Sequence, residues 1–173
     1  FCDVDINTFN IRADIIEPLI SKKTKAIVPV HLYGQSCDME PILELAKNYN
    51  LKIIEDNAQA IGCKYIFSDG STKFTGTIGD IGTTSFYPSK NLGCYGDGGA
   101  IFTNDNMLAN KIRMIANHGE KIKYHHEIVG CNSRLDSIQA EILNIKHKYL
   151  NDYNHQRQIM ANNYNLSFRE ISE

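Results

Sequence analysis

Short β-prone runs that alternate with amphipathic helical patterns are the feature that most constrains the fold of this chain. Strand-like runs are predicted at 25–32, 51–55, 81–86 and 100–103, and helical patterns at 12–21, 40–49 and 105–117. Strands that are separated by helices pair in parallel, because the helix returns the chain to the edge where the first strand began. The order of elements therefore predicts an α/β layer fold with a mostly parallel sheet.

The C-terminal stretch has a purely helical pattern. Between Ser133 and about Phe168, apolar residues recur at spacings of three and four, and no proline interrupts them. This spacing predicts one long helix or two, with Asn132 or Ser133 in the N-cap region. Asp38 and Asp105 are the predicted N-caps of two earlier helices.

Lys90 follows a predicted strand closely. The β-prone run 81–86 stops before Pro88, which cannot donate to a strand ladder, so Lys90 is expected in a loop just past a strand end. Sites in α/β proteins form at such ends. A lysine amine attacks a carbonyl only when neutral, and a partly buried lysine beside cationic or apolar groups loses its proton more readily than one in water. The alternative is an ordinary solvated lysine.

Asp56 stands at the end of the run 51–55 and precedes several small residues. A carboxylate at the end of an apolar strand needs a partner, and the protonated ring nitrogen of a cofactor is one such group. Equally, the side chain could cap the turn or helix that follows. His31 and His118 are open to either a site role or a structural role.

Several stretches taken together resemble the DegT/DnrJ/EryC1/StrS family of sugar aminotransferases. The stretches are LKIIEDNAQAIG (51–62), TSFYPSKNLG (84–93) and VGCNSRLDSIQAEIL (129–143), with TKAIVPVHLYG (24–34) before them. They occur in the family's order and span nearly the whole chain. The resemblance implies the three-layer α/β/α large domain of a fold-type I transferase that uses pyridoxal 5'-phosphate (PLP).

The resemblance also implies a role for each matching residue. Lys90 corresponds to the lysine that holds the cofactor as an imine, Asp56 to the partner of the pyridine nitrogen, and Gln59 to the contact on the ring's hydroxyl side. Ser85 corresponds to a hydroxyl that binds the cofactor phosphate. Asn132 corresponds to an asparagine that crosses a dimer interface to the neighbouring subunit's phosphate, which implies a homodimer with shared sites.

For the reaction, the resemblance implies transfer of an amino group from glutamate to a keto group of a nucleotide-linked deoxysugar. The run 123–130 is most similar to members that aminate C3. Amination of C4 is the close alternative, and a family member without transaminase activity, acting as a dehydratase or a regulator, is a further one. The dehydratases carry histidine in place of the imine lysine, so Lys90 argues against that branch.

The resemblance predicts how the chain is divided. Residues 1–132 are expected to be the central part of the PLP-binding large domain, and residues 133–173 a long helix leading towards a small domain. The N-terminal segment of the large domain and the small domain are expected to lie outside this sequence.

The composition of the chain excludes several other classes of function. At 173 residues, 42% hydrophobic and a net charge of −2, the chain can bury one core and offers no basic surface for nucleic acid. No apolar run approaches the ~20 residues of a membrane span, and the cytoplasm is the simplest location. The five cysteines lack a C-x-x-C pair, which is typical of reduced thiols. No metal site is predicted, because the histidines lack acidic or thiol partners at ligand spacing.

Overall fold

A computed structural model describes residues 1–169 and 171. The strands, in chain order, are β1 Ala26–Ile27, β2 Lys52–Asp56, β3 Lys64–Ile66, β4 Thr72–Phe74, β5 Ile81–Ser85, β6 Gly99–Phe102, β7 Glu120–Ile122 and β8 His125–His126. The α-helices are α1 Met39–Asn48, α2 Asn106–Ala116, α3 Ser137–His147 and α4 Leu150–Arg169. The alternation of strands and helices predicted from the sequence is confirmed.

The central sheet has four strands in the order β1-β2-β5-β6. β1, β2 and β5 are parallel, as predicted, whereas β6 pairs antiparallel to β5. The loop between β5 and β6 returns to the end of β5, where Phe86 N donates to Gly98 O at 2.7 Å, so β6 begins at that end and runs in the reverse direction. β3 with β4 and β7 with β8 form separate antiparallel pairs.

Two predicted elements are shorter or tighter than expected. The predicted strand 25–32 is reduced to Ala26–Ile27 with an isolated bridge from Val30 to Asp56. The predicted helix 12–21 is instead two 3-10 helices, Ala13–Ile15 and Glu17–Leu19. Pro18 explains the second difference, because proline disfavours α conformation in the residue before it and has no N–H for a continuous helical ladder.

The prediction that Asn132 or Ser133 lies in the N-cap region of the following helix is wrong. α3 begins at Ser137 and its N-cap residue is Asp136. Residues 131–133 are instead held to the C-terminal end of α2, because the Cys131 and Ser133 N–H groups donate to backbone carbonyls of α2. The stretch from 133 to 168 forms two helices, the second alternative of the prediction.

The predicted N-caps differ in what their carboxylates contact. Asp105 precedes α2 and accepts hydrogen bonds from the N–H groups of Met107 and Leu108, so its side chain caps the helix as predicted. Asp38 occupies the N-cap position of α1 without a capping hydrogen bond. Its carboxylate accepts a hydrogen bond from the Tyr65 hydroxyl at 2.6 Å.

The core consists of two clusters of buried side chains. One packs α1 against β1 and β2 and includes Ile27, Ile42 and Ile53. The other joins α3 and α4 to the chain that follows β5, and it consists of Phe86, Leu92, Cys94, Leu143 and Leu150. The second cluster fixes the position of the loop that carries Lys90. Among residues 1–169 and 171, no helix is both long and apolar enough to cross a membrane.

Candidate active site

Asp56 lies at the carboxyl end of β2, as predicted from the sequence. Its N–H donates to Pro29 O at 2.9 Å and its carbonyl accepts from His31 N at 3.0 Å, so the backbone on both sides is held. Its Oδ1 atom accepts a hydrogen bond from Ala58 N at 3.0 Å. The carboxylate therefore caps the following turn, and its second oxygen keeps its acceptor capacity.

Ser85 is the last residue of the neighbouring strand β5. Asp56 is in register with Thr83, and Ser85 is two residues further along the same strand. Side chains two residues apart on a strand share a face, so Asp56 and Ser85 lie on the same face at adjacent strand ends. Ser85 Oγ accepts a hydrogen bond from Tyr87 N at 3.2 Å.

Lys90 lies in the loop after β5, in agreement with the sequence prediction. Its N–H donates to Tyr87 O at 2.9 Å in a turn that contains Pro88. The loop is closed by the hydrogen bond from Cys94 N to Phe86 O at 2.8 Å. Lys90 is half-buried and lines a cavity.

Gln59 and Lys90 line one cavity of about 790 Å³, together with Tyr33, Asn91 and Asn154. Gln59 Oε1 accepts a hydrogen bond from Tyr33 N at 2.8 Å, so its carbonyl end is already used. The remaining polar group of this side chain is a hydrogen-bond donor. Asp56, Ser85 and Asn132 are not among the residues that line this cavity.

Asn132 does not line the cavity that contains Gln59 and Lys90. It is exposed and forms an isolated antiparallel bridge with Asn117 at the end of α2. Within one chain the structure therefore brings together Gln59 and Lys90 in a cavity, and Asp56 and Ser85 at adjacent strand ends. Asn132 is instead paired with Asn117 and is not among the residues that line the cavity.

The buried pair of His31 and Glu55 was not identified from the sequence. His31 Nε2 lies 3.0 Å from Glu55 Oε2, and both side chains are fully buried. His31 Nδ1 accepts a hydrogen bond from Cys37 N at 3.1 Å, so the proton of the ring is on Nε2 and is donated to Glu55. His31 is thus a structural histidine, one of its two predicted alternatives.

Glu55 accepts three further hydrogen bonds from backbone N–H groups of a single loop, those of Gly76, Ile78 and Gly79, at 2.6 to 2.7 Å. Burial by itself raises the pKa of this carboxyl, but the hydrogen bonds from His31 and the three N–H groups outweigh it and hold the pKa below its ordinary value. The sequence signal for this network was an acidic residue two positions after Ile53, on the face of the strand that Ile53 buries.

The chain belongs to the DegT/DnrJ/EryC1/StrS aminotransferase family, whose sequence model matches residues 1–173. It is 50% identical over 98% of its length to a pleiotropic regulatory protein of Geobacillus stearothermophilus, covering 44% of that protein. It is 45% identical over 99% of its length to the UDP-2-acetamido-2-deoxy-3-oxo-D-glucuronate aminotransferase of Pseudomonas aeruginosa, covering 46% of it. A third relative, the dTDP-3-amino-3,6-dideoxy-α-D-galactopyranose transaminase of Aneurinibacillus thermoaerophilus, is 53% identical over 92% of the chain and 43% of its own length.

Solved structures agree with this family. A DegT/DnrJ/EryC1/StrS aminotransferase from Brucella abortus superposes with a TM-score of 0.89 at 39% identity, over 98% of this chain and 46% of that one. NtdA of Bacillus subtilis, solved with its cofactor PMP bound, gives a TM-score of 0.87 at 38% identity, over 99% of this chain and 38% of its own. The fold is that of a fold-type I transferase, and the chain spans less than half the length of these relatives.

Proposed function

We propose that the protein is a PLP-dependent aminotransferase that acts on a nucleotide-linked keto sugar. The observation that carries this proposal is the shared cavity of Gln59 and Lys90, beside the strand that ends in Asp56. An amine, an amide donor and a carboxylate are the groups that a cofactor with an aldehyde, a phenolic oxygen and a basic ring nitrogen requires. The PMP-bound relative supports the same cofactor.

The polar groups of the proposed site match those of PLP one by one. The second oxygen of Asp56 is an acceptor for the protonated ring nitrogen, and the amide nitrogen of Gln59 is a donor for the ring's hydroxyl side, because its Oε1 is occupied by Tyr33. Ser85 provides a hydroxyl for the phosphate at the adjacent strand end. When bound, PLP withdraws electrons from the substrate carbon that loses a proton.

Lys90 has two roles in this proposal. Its Nζ atom holds the cofactor covalently before the amino donor arrives, and it then serves as the base that takes and returns the transferred proton. Both roles require a neutral amine close to the ring. The partial burial of Lys90 and the turn that begins at Tyr87 limit the positions that the amine can reach.

The proposed substrates are glutamate and a nucleotide-linked 3-keto deoxysugar. The names of two relatives support the C3 position, since one acts on a 3-oxo sugar and the other is a transaminase for a 3-amino sugar. C4 amination remains the alternative within the same chemistry. The relative named as a pleiotropic regulatory protein favours, as a second candidate, a regulatory family member.

We also propose that two subunits share their sites. Asn132 is exposed and does not line its own chain's cavity, so its side chain is available to bind the cofactor phosphate of a neighbour. Residues 1–132 would then form the central part of the cofactor-binding domain. Residues from 133 onward would lead to a further domain, although residues 170, 172 and 173 lie outside the part that the structure describes.

Covalent trapping in the full-length protein tests the cofactor assignment. Borohydride should bleach the absorbance of bound PLP and fix one pyridoxyl group on the peptide that contains Lys90. Lys90→Ala should lose this label, whereas Lys64→Ala, which changes another lysine of the same cavity, should retain it. Equal labelling of Lys90→Ala and wild type would refute the role of Lys90.

Product analysis tests the substrate. The holoenzyme is incubated with glutamate and either a 3-keto or a 4-keto nucleotide sugar, and the position of the new amino group is read by NMR. Amination at C3 alone supports the proposal, and amination at C4 alone selects the alternative. A holoenzyme in which borohydride fixes the pyridoxyl label on Lys90, but which aminates neither sugar, would favour the regulatory candidate.

Mixed dimers test the shared site. Lys90→Ala and Asn132→Ala chains, each inactive as homodimers, should regain part of the activity when combined, because one site of the heterodimer then has both residues intact. Heterodimers confirmed by mass that show no recovery would contradict a role for Asn132 across the interface.

A further inference from the structure

Asn154 of α4 joins the two segments that carry Lys90 and Gln59. Its Oδ1 atom accepts a hydrogen bond from Asn91 Nδ2 at 2.6 Å, and its Nδ2 atom donates to Ile61 O at 3.0 Å. Because the Ile61 carbonyl is an acceptor only, the orientation of the Asn154 amide is determined by chemistry. One side chain thus bridges the residue after Lys90 to a residue two positions after Gln59.

The fit around Asn154 is close. Gly62 has a φ of +86°, and a Cβ atom built on it would lie 2.8 Å from Asn154 Nδ2. A side chain at position 62 would therefore push Asn154 away from Ile61. Asn154, Asn91 and Ile61 also line the cavity that contains Gln59 and Lys90, so the bridge is part of the cavity wall.

The rest of the loop after Lys90 is held by other contacts from α3 and its surroundings. Lys146 Nζ donates to Gly93 O at 2.6 Å, and Gln139 Oε1 accepts from Tyr95 N at 2.8 Å. Leu143 packs in the same buried cluster as Leu92. These contacts hold residues 92–95, so removal of Asn154 should loosen the Lys90 end of the loop without unfolding the loop as a whole.

We propose that Asn154 is a positioning residue, which holds the Lys90 segment and the Gln59 segment at a fixed separation across the cavity. The functional consequence rests on the proposed aminotransferase activity, in which the amine and the amide donor act on opposite parts of one ring. A displacement of a catalytic group by about 1 Å can lower the rate by up to about a hundredfold, so a residue that fixes this separation has a direct effect on turnover.

Hydrogen exchange in the cofactor-free, full-length protein tests the positioning without reference to activity. Asn154→Leu has a similar volume and removes both hydrogen bonds, and Asn154→Asp keeps the acceptor for Asn91 but loses the donor to Ile61. Asn162→Leu, at an exposed position of the same helix, is the matched control. We expect the Lys90 amide to exchange about tenfold faster in Asn154→Leu than in wild type, and at the wild-type rate in the control. In Asn154→Asp the exchange rate should increase by a smaller factor.

Exchange in α2 separates positioning from a general structural role. Positioning predicts that amides of residues 106–116 keep their wild-type exchange rates and that the melting temperature stays close to that of the control. Faster amide exchange throughout the protein, together with a lower melting temperature, would overturn the proposal. Wild-type exchange at Lys90 in both Asn154 variants would overturn it equally.

Kinetics of the loaded enzyme provide a second readout. Asn154→Leu should lower kcat about tenfold while KM for the amino donor changes less than twofold, because substrate contacts are retained and geometry is lost. Asn91→Ala, which removes the partner on the Lys90 side, should lower kcat similarly, and the double variant should be no worse than either single one. If the losses in kcat of the two single variants added up in the double variant, Asn154 and Asn91 would not act through one shared hydrogen bond. If the protein proves to have no aminotransferase activity, the exchange result still decides the positioning.

Discussion

His31 and Glu55 form a hydrogen bond of 3.0 Å between two side chains that are completely shielded from solvent. Through the His31 N–H that donates to Asp56 O, and the loop N–H groups that donate to Glu55, this pair connects three segments. These are the chain after β1, the strand β2 and the loop before β5. The pair therefore lies directly beneath the strand end that carries Asp56 and supports its backbone.

Replacement of Glu55 by glutamine should destabilise the protein by about 3–5 kcal/mol, because an amide NH₂ group would face backbone N–H donors and the His31 proton would lose a charged acceptor. Urea unfolding measures the change in the free energy of unfolding. Glu44→Gln, at an exposed position of α1, should differ from wild type by less than about 0.5 kcal/mol. A Glu55→Gln protein as stable as the Glu44→Gln control would show that the network contributes little.

The stabilisation from Glu55 should depend on pH. Its pKa in the folded protein is below the ordinary value of 4.5, because hydrogen bonds to the ionised form outweigh the effect of burial. A carboxyl with a lowered pKa binds its proton more readily in the unfolded chain, so its stabilisation is complete above pH 4.5 and decreases as the pH falls through the folded pKa. Denaturation curves should therefore show the gap between wild type and Glu55→Gln narrowing below that pH. A gap that widens on acidification would contradict the sign.

Gly82 of β5 should not tolerate a side chain. A Cβ atom at this position would lie 1.9 Å from Gly76 O, in the same loop that binds Glu55. Gly82→Ala should cost about 3 kcal/mol or more, because backbone must move. Gly70, with a φ of +82° and nothing within 4 Å of its Cβ position, is the matched control. Gly70→Ala should cost only about 1–2 kcal/mol, the strain of its left-handed backbone, as measured by thermal unfolding.

Asp56→Asn separates the two roles of this side chain. Asparagine keeps an oxygen for the Ala58 N–H and so preserves the turn, but it removes the negative charge that would pair with a protonated ring nitrogen. In the full-length enzyme we expect an unchanged melting temperature in the absence of PLP and a fall in kcat of about tenfold to a hundredfold. Activity close to that of wild type would show that the carboxylate only caps the turn.

Sequence patterns located the elements that carry the candidate site. The apolar run that stops before Pro88 placed Lys90 beyond a strand, and the run that ends at Asp56 placed a carboxylate at another strand end. Both inferences depend on local properties, the β propensity of neighbouring residues and the missing N–H of proline, so they did not require the fold. The capping role of Asp105 was predictable for the same reason.

The direction of β6, the start of α3 and the contacts of Asp38 were decided by tertiary structure. Asn132 and Ser133 are good capping residues, yet backbone hydrogen bonds between this segment and the end of α2 hold it outside the helix. The Asp38 carboxylate binds Tyr65 from a distant strand instead of its own helix. For the start of α3 and for Asp38, a long-range partner outcompeted a local N-capping preference of about 1 kcal/mol.

The sequence by itself determined the α/β class, the ends of β2 and β5 and the identity of the polar groups placed there, because periodicity and breaker residues act over a few neighbours. Only the tertiary structure decided which of these groups share a cavity. It also produced the His31–Glu55 pair and the Asn154 bridge, which join residues 24 to 93 positions apart. Contacts over such separations depend on how the layers pack and are not encoded in any local pattern.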